Sequence, residues 1–528
     1  MHVPLTPLRF LERSEGLYAD SLAVACAGQE FTFAQYAARV RRAASVLRAL
    51  DVKRGDRVLY LGMNCHRLLE LYYAVLPLEA ILVPVNVRLA PADIAYILQD
   101  ASPRVLVVSP ELLPLIAALP LPPSVQHRVL AYPSPGAAAP DGWQLYDDLV
   151  EAAAPDAFPD GLDEASIVEI FYTSGTTARP RGVMLSARSL YLHALECVVA
   201  LRGSDTDRLL VGSVPLFHVN GWGSPQIAVA VGASQVVVPR FEPESFATMV
   251  ERYGCTLAFM VPSMLGALLD FPGLKGHDLS SLRLLLLGGA PPPPALLARA
   301  RAEIGVECQV GYGLTETSPV VSMATLKADL LGAPLEERLR RQSLTGMPII
   351  GTFVRVVRED GSDVRHDGGE VGEILVRGDQ VMDGYWNLPE ESAAALAGGY
   401  LATGDLAVVD AEGYLNIVDR KKDIIISGGE NIASVEIEDV LYRHPAVREA
   451  AVVAGPDPRW GEVPVAFVSL RPGVSADAET LTAHARANLA HFKVPHHFVF
   501  MDELPKTGTG KIQKAELRQR WRDAHPAA

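Results

Sequence analysis

Positive charge is scarce in this chain. Lys and Arg number 47 against 62 Asp and Glu, a formal net charge of −15 at pH 7. A general nucleic-acid binder draws most of its affinity from basic surface, so that class is disfavoured. An anionic small substrate remains compatible, because local loops or a metal can supply positive charge. Cysteine is scarce too: Cys26, Cys65, Cys197, Cys255 and Cys308, an odd number with no C-x-x-C pair. That argues against a disulfide framework and a zinc site, and for a reduced, intracellular protein. No apolar run approaches the ~20 residues of a membrane span. The N-terminus MHVPLTPLRFLERSEG lacks the basic segment and apolar stretch of a signal peptide. The expectation is a soluble, cytoplasmic protein. Two nucleotide signatures are also missing. After Gly175 the next glycine is Gly182, and Val183 stands where a Walker A loop requires Lys; the G-x-G-x-x-G pattern does not occur there.

Apolar residues make up 49% of the 528 positions, enough for a large core. The length suggests about two to four folding units. Short apolar runs alternate with helical spacing over about the first three hundred residues. RVLYLGM (57–63), ILVPVNV (81–87), RVLVVS (104–109), RLLVGSVPLF (208–217), SQVVVP (234–239), LAFMVP (257–262) and RLLLLGG (283–289) read as buried strands. Between the first of them and the N-terminus, Phe33, Tyr36, Ala37, Val40, Ala44 and Leu47 fall on one helical face. This rhythm predicts layered α/β structure with largely parallel sheets. From about 345 to 419 the runs TFVRVVRED, GEILVRG and LAVVDAEGYLNIVDR read as antiparallel strands joined at Asp360-Gly361 and Glu412-Gly413. DRKKD (419–423) reads as a short charged break, and 424–528 as a small α+β domain.

Chemistry enters with YTSGTTARPRGV (172–183), which follows the strand-like SIVEIFYTSG. A glycine turn with small hydroxyls offers many donors in little space, which suits phosphate oxygens. Alone it reads equally as a polar turn. It is followed by GGAPP (288–292), GYGLTET (311–317), YLATGDL (400–406), VDRKKDIIISGGENI (418–432) and LPKTGTGKIQ (504–513).

In this order and spacing the six motifs resemble the acyl-adenylate-forming superfamily: acyl-CoA synthetases, peptide-synthetase adenylation domains and firefly luciferase. The match spans nearly the whole chain. It implies a large N-terminal domain, 1–419, of layered α/β subdomains with a small β-barrel-like part at about 345–419. It also implies a hinge at 420–423 and a mobile C-terminal domain at 424–528. The implied reaction has two steps. A carboxylate attacks the α-phosphate of ATP, and a thiol then displaces AMP. Thr173, Ser174, Gly175, Thr176 and Thr177, with Arg181, would hold the β- and γ-phosphates. Thr315 would contact a phosphate, and Glu316, with Thr176, would hold Mg²⁺. Gly289, Ala290, Tyr312 and Gly313 would line the adenine site; Asp405 and Arg420 would fix the ribose. Lys511 would bridge the carboxylate and the α-phosphate, a place suited to a compact ammonium. His218 would lie near the reacting carboxylate. The C-terminal domain would swing about Lys422 and bring Ser427, Gly428, Gly429 and Glu430 to the pantetheine arm.

Two positions depart from the family pattern: Ala178 replaces a glycine and Arg181 a lysine. They leave a non-catalytic relative open, although Lys511, Glu316 and Thr315 are all present. No embedded carrier-protein serine is found, which favours free coenzyme A over a separate carrier protein. The acyl pocket would be lined by His218, Trp222, Gly311 and Gly313. A tryptophan at the position of Trp222 can gate the acyl tunnel in fatty acyl relatives, and the glycines leave room that acetate-specific relatives fill. A medium-chain aliphatic acid is expected, with a longer-chain or aryl acid as the alternative. A homodimer is what the resemblance implies.

Overall fold

Runs of branched and straight aliphatic residues four or five long become strands buried on both faces, as parallel sheets require. Ile81–Pro84, Val105–Val108, Leu257–Met260 and the all-leucine Leu284–Leu287 are buried at every position. The structure is a computed structural model and describes residues 3–131, 138–173, 179–427, 430–506 and 512–525. By packing, the chain divides into two compact units, 1–353 with 376–401, and 354–375 with 402–528.

The first unit holds two large sheets. One has nine strands, in the order Met347–Pro348, Val320–Met323, Glu307–Gly313, Leu284–Leu287, Leu257–Met260, Arg208–Val211, Ser234–Val237, Leu22–Cys26 and Gln29–Thr32. Its central pairings are parallel and its two margins antiparallel. The other has eight strands and runs from Gly384–Tyr385 through Arg181–Ser186, Ile167–Thr173, Ile81–Pro84 and Arg57–Leu61 to Val105–Val108, His127–Leu130 and Gln144–Leu145. The Phe33–Ala49 helix buries the expected face. It starts at a reciprocal cap in which Thr32 accepts from the Gln35 amide and Gln35 from the Thr32 amide. One expected strand is shorter than the apolar run. Of 208–217 only Arg208–Val211 pairs, because Gly212 turns out at φ +103°. A Cβ there would lie 2.3 Å from the Val238 carbonyl.

The second unit contains a four-stranded sheet, Phe353–Val357, Gly372–Arg377, Leu401–Val409 and Leu415–Arg420. It also contains a five-stranded sheet built round the long antiparallel pair Val447–Asp457 and Gly461–Leu470. Helices Ser434–Tyr442 and Lys514–Ala524 pack on the first strand of that pair. Residues 354–375 and 402–419 thus group with the C-terminal segment in packing. All five cysteines are buried and free, and no helix among the described residues is long and apolar enough to cross a membrane.

Candidate active site

The strand Ile167–Thr173 pairs antiparallel with Arg181–Ser186, Thr173 opposite Arg181, so the two strands that flank the phosphate-loop motif are neighbours. Ser174, Gly175, Thr176, Thr177 and Ala178 lie outside the described residues. Arg181 is half-buried. Its guanidinium sits 4.4 Å from the centroid of the Tyr385 ring and 3.2 Å from a Glu391 oxygen. The Tyr385 hydroxyl in turn donates to Glu316 Oε1 at 3.0 Å. Burial, reinforced by the Glu316 charge, pushes the Tyr385 phenol up, so it is a protonated donor at neutral pH. Tyr385 thus links Arg181 to Glu316. Tyr385 was not expected from the sequence; its only signal was an aromatic pair, Tyr385-Trp386, after a glycine.

Thr315 is buried at the start of the single turn Thr315–Thr317. Tyr312 and its flanking glycines end the strand Glu307–Gly313. Gly313 is obligatory for packing, since a Cβ there would fall 1.7 Å from the Pro319 carbonyl oxygen, where the chain doubles back. Gly289, at φ +84°, and Ala290 are exposed just beyond Leu284–Leu287. Trp222 comes to the same strand ends. A Cβ on Gly288 would lie 2.7 Å from the tip of its indole and 3.0 Å from the Gly311 carbonyl. The indole also stacks on Phe259 at 6.2 Å. His218, half-buried, stands immediately before the segment that carries Trp222.

In the second unit Asp405 and Arg420 face each other across adjacent antiparallel strands, with Arg420 Nε 3.1 Å from Asp405 Oδ1. Lys422 is exposed. The charged break is not solvated throughout, because Asp419 and Asp423 are buried. Asp419 accepts from the Ser434 amide and hydroxyl. Lys514 donates to that hydroxyl at 2.6 Å and pairs with Glu438 at 2.8 Å, while Arg518 pairs with Asp423. The sequence gives no sign of this, because the partners lie up to 95 positions apart. Ser427 is buried, pairs with Glu430 and Gly461, and Glu430 is exposed. Gly428, Gly429 and Lys511 lie outside the described residues.

A model of the "AMP-binding enzyme" family matches residues 11–386, and one of the "AMP-binding enzyme C-terminal domain" matches 436–511. The chain belongs to the AMP-binding enzyme family. It is 41% identical to the long-chain-fatty-acid–CoA ligase of Thermus thermophilus over 98% of this chain and 96% of that one. It is 39% identical to the feruloyl-CoA synthase of an Amycolatopsis species over 94% and 96%. Among solved structures, the anthranilate CoA ligase AuaEII in complex with anthranoyl-AMP superposes with a TM-score of 0.90 at 29% identity, over 100% of this chain and 99% of that one. Membership and these full-length likenesses make the chain an AMP-forming acid–CoA ligase by class. The donor set fits a magnesium-dependent member. Among the described residues no three or more His, Cys, Asp or Glu side chains form a metal cage. A single carboxylate, Glu316, suits Mg²⁺, which takes its other ligands from phosphates and water.

Proposed function

We propose that the chain activates a medium-chain aliphatic acid with ATP and passes the acyl group to coenzyme A. In the first step a carboxylate oxygen bonds to the α-phosphorus and the bond to the β-phosphate oxygen breaks, releasing pyrophosphate. In the second the thiol sulfur bonds to the acyl carbon, the acyl–oxygen bond breaks and AMP leaves. The thiol proton passes to solvent. Thr173 to Thr177 and Arg181 hold the outer phosphates, and Thr315 hydrogen-bonds a phosphate oxygen. Lys511 brings the two anions together, which makes positioning and charge stabilisation the main contributions to rate. Mg²⁺, held by Glu316 with Thr176, would neutralise phosphate charge. Tyr312, Gly289, Ala290 and Gly313 receive the adenine, Asp405 and Arg420 the ribose. Lys422 is the pivot, and Ser427 to Glu430 receive the thiol arm after the swing. His218 and Trp222 border the acid.

The preference for a medium chain rests on the Trp222 indole, which fills the space at Gly288, beside the Gly311 carbonyl. An indole there shortens any apolar pocket that starts at those strand ends. The likeness to the anthranilate and feruloyl enzymes supports a second reading, an aryl acid, whose flat ring could lie along the same indole. Incubation with ATP, coenzyme A and unbranched acids of graded length beside benzoate and cinnamate, read by mass spectrometry, tests both. Highest kcat/KM for acids of intermediate length bears out the first, and highest kcat/KM for the aryl acids replaces it with the second. Acyl-adenylate that accumulates without thioester would overturn the coenzyme A step.

A further inference from the structure

Residues 219–223 are left-handed in succession: Val219 φ +46°, Asn220 +42°, Gly221 +59°, Trp222 +63° and Gly223 +80°. L-residues visit this region singly and not in runs, because Cβ crowds the next carbonyl. Such a turn persists only when its surroundings hold it. At its start, the Leu216 amide donates to Asn64 and its carbonyl accepts from Tyr72. At its end, the Pro225 carbonyl accepts from Tyr73. In the middle Glu169, 1% exposed, anchors it. Its Oε2 accepts from Asn220 Nδ2 at 2.8 Å and its Oε1 from Gln226 Nε2 at 3.0 Å. Asn220 Oδ1 then accepts from the Gly223 amide at 2.6 Å, closing the turn round Trp222.

The anchor has no cation. Its neighbours are two side-chain amides and the hydroxyl-bearing Tyr72 and Tyr73, and burial pushes its carboxyl up to about 8. Burial therefore favours its protonated form. Gln226 Oε1 is buried without a hydrogen-bond partner. Glu169 also belongs to the strand that leads into the phosphate loop, four residues before Thr173.

We propose that Glu169 is a positioning residue for acid selection. Through Asn220 and Gln226 it latches the left-handed turn 219–223, and that turn holds the Trp222 indole against Gly288 and Phe259, where it limits the length of acid accepted. With the latch cut, the turn relaxes, the indole withdraws and longer acids enter. The proposal rests on Trp222 being the wall of the acid pocket.

The test measures kcat/KM for hexanoate and decanoate, with KM for ATP alongside, in wild type and in Glu169→Leu, Glu169→Gln, Asn220→Ala and Trp222→Ala. Leucine cuts both bonds without leaving a cavity; glutamine keeps the shape and the neutral bonding. One methylene in an apolar pocket is worth ~10–200-fold. Glu169→Leu and Asn220→Ala should therefore each raise the decanoate-to-hexanoate ratio at least about tenfold, with KM for ATP unchanged. Glu169→Gln should stay close to wild type. If Trp222→Ala raises the ratio and the two latch variants, folded, do not, the proposal fails while the pocket reading stands. If Trp222→Ala itself leaves the ratio unchanged, the pocket reading fails and takes the latch with it. If neither latch variant folds, the network is general support for the fold and the proposal is wrong.

Discussion

Two clusters of buried acids sit beside the candidate chemistry, one in each unit, and they handle charge in opposite ways. In the first unit Glu169 hydrogen-bonds two side-chain amides and no cation, and burial pushes its carboxyl up to about 8. In the second, Asp419 and Glu438 surround the Lys514 ammonium. Burial alone would push Lys514 down, but Glu438 and Asp419 outweigh it and hold it raised. A buried acid without a cation takes up a proton; a buried acid with one stays matched only while the cation remains. The first cluster fixes a turn through short neutral bonds. The second ties the strand end at Asp419 to the helix that begins at Ser434 and to the sequence-remote helix that begins at Lys514.

Removing the cation breaks the second cluster. Lys514→Met should cost the second unit ~3–5 kcal/mol at neutral pH, the usual penalty for leaving a buried charge uncompensated. Amide exchange in Ser434–Tyr442 and Lys514–Ala524 should accelerate, while the strands of the first unit exchange as before. The loss should shrink toward acid pH, where protons replace the missing charge. Unchanged exchange in both helices would show that the acids were neutral from the start, as in the first cluster.

A lysine three residues away sharpens the contrast. Lys511→Ala should leave stability unaltered and lower acid-dependent pyrophosphate release by ~10²–10³, the range for a lost transition-state charge contact. Thioester formation from supplied acyl-adenylate should survive. Equal loss in both half-reactions would remove Lys511 from the first step.

How visible were these arrangements in the sequence? The strands were visible because four apolar residues in a row have few other fates, and the helix at 33–49 because its apolar spacing and its Thr32 cap agree. The family motifs point to Thr315, Glu316, Asp405 and Arg420, and the last two are opposed across adjacent antiparallel strands. Tertiary partnership was invisible. Glu169 is a lone acid in SIVEIF, which reads as a misplaced charge until Asn220 and Gln226 arrive from 51 and 57 positions away. Asp419 and Asp423 read as solvated because local sequence cannot announce Ser434 and Arg518. The left-handed run at 219–223 was hidden because only two of its five residues are glycine.

Glu169→Gln tests the neutral cluster. Its folded carboxyl is pushed from 4.5 up to about 8. Between those values the folded state keeps a proton that the unfolded state has lost. Stability must therefore fall as pH rises through that window, by up to ~1.4 kcal/mol per unit, and level off above it. Glutamine removes this contribution. Urea unfolding of wild type and variant at pH 5.5 and 7.5 should show the variant gaining on wild type by ~2–3 kcal/mol between the two. No relative gain would mean that Glu169 is ionised and that the two clusters do not differ in kind.

The smallest effect is expected at Arg181, where charge is neither deeply buried nor fully solvated. Its guanidinium lies over Tyr385 and beside Glu391, and Tyr385 reaches Glu316. A lysine keeps the charge but loses the flat stacking surface. A cation–π contact at such a site is worth ~0.5–1 kcal/mol and a partly exposed ion pair ~0–1 kcal/mol. The Glu316 carboxylate keeps its phenol donor in either case. Arg181→Lys should therefore change KM for ATP by less than about tenfold, or ~1.4 kcal/mol. Its kcat should hold, since Tyr385 still orients Glu316. Tyr385→Phe in the same background should then cost more than the arginine did, because it removes a bond that touches the carboxylate itself. If Arg181→Lys instead raises KM for ATP a hundredfold while Tyr385→Phe does nothing, the hold of Arg181 on the phosphates depends on its planar fork, and the bond from Tyr385 to Glu316 is incidental.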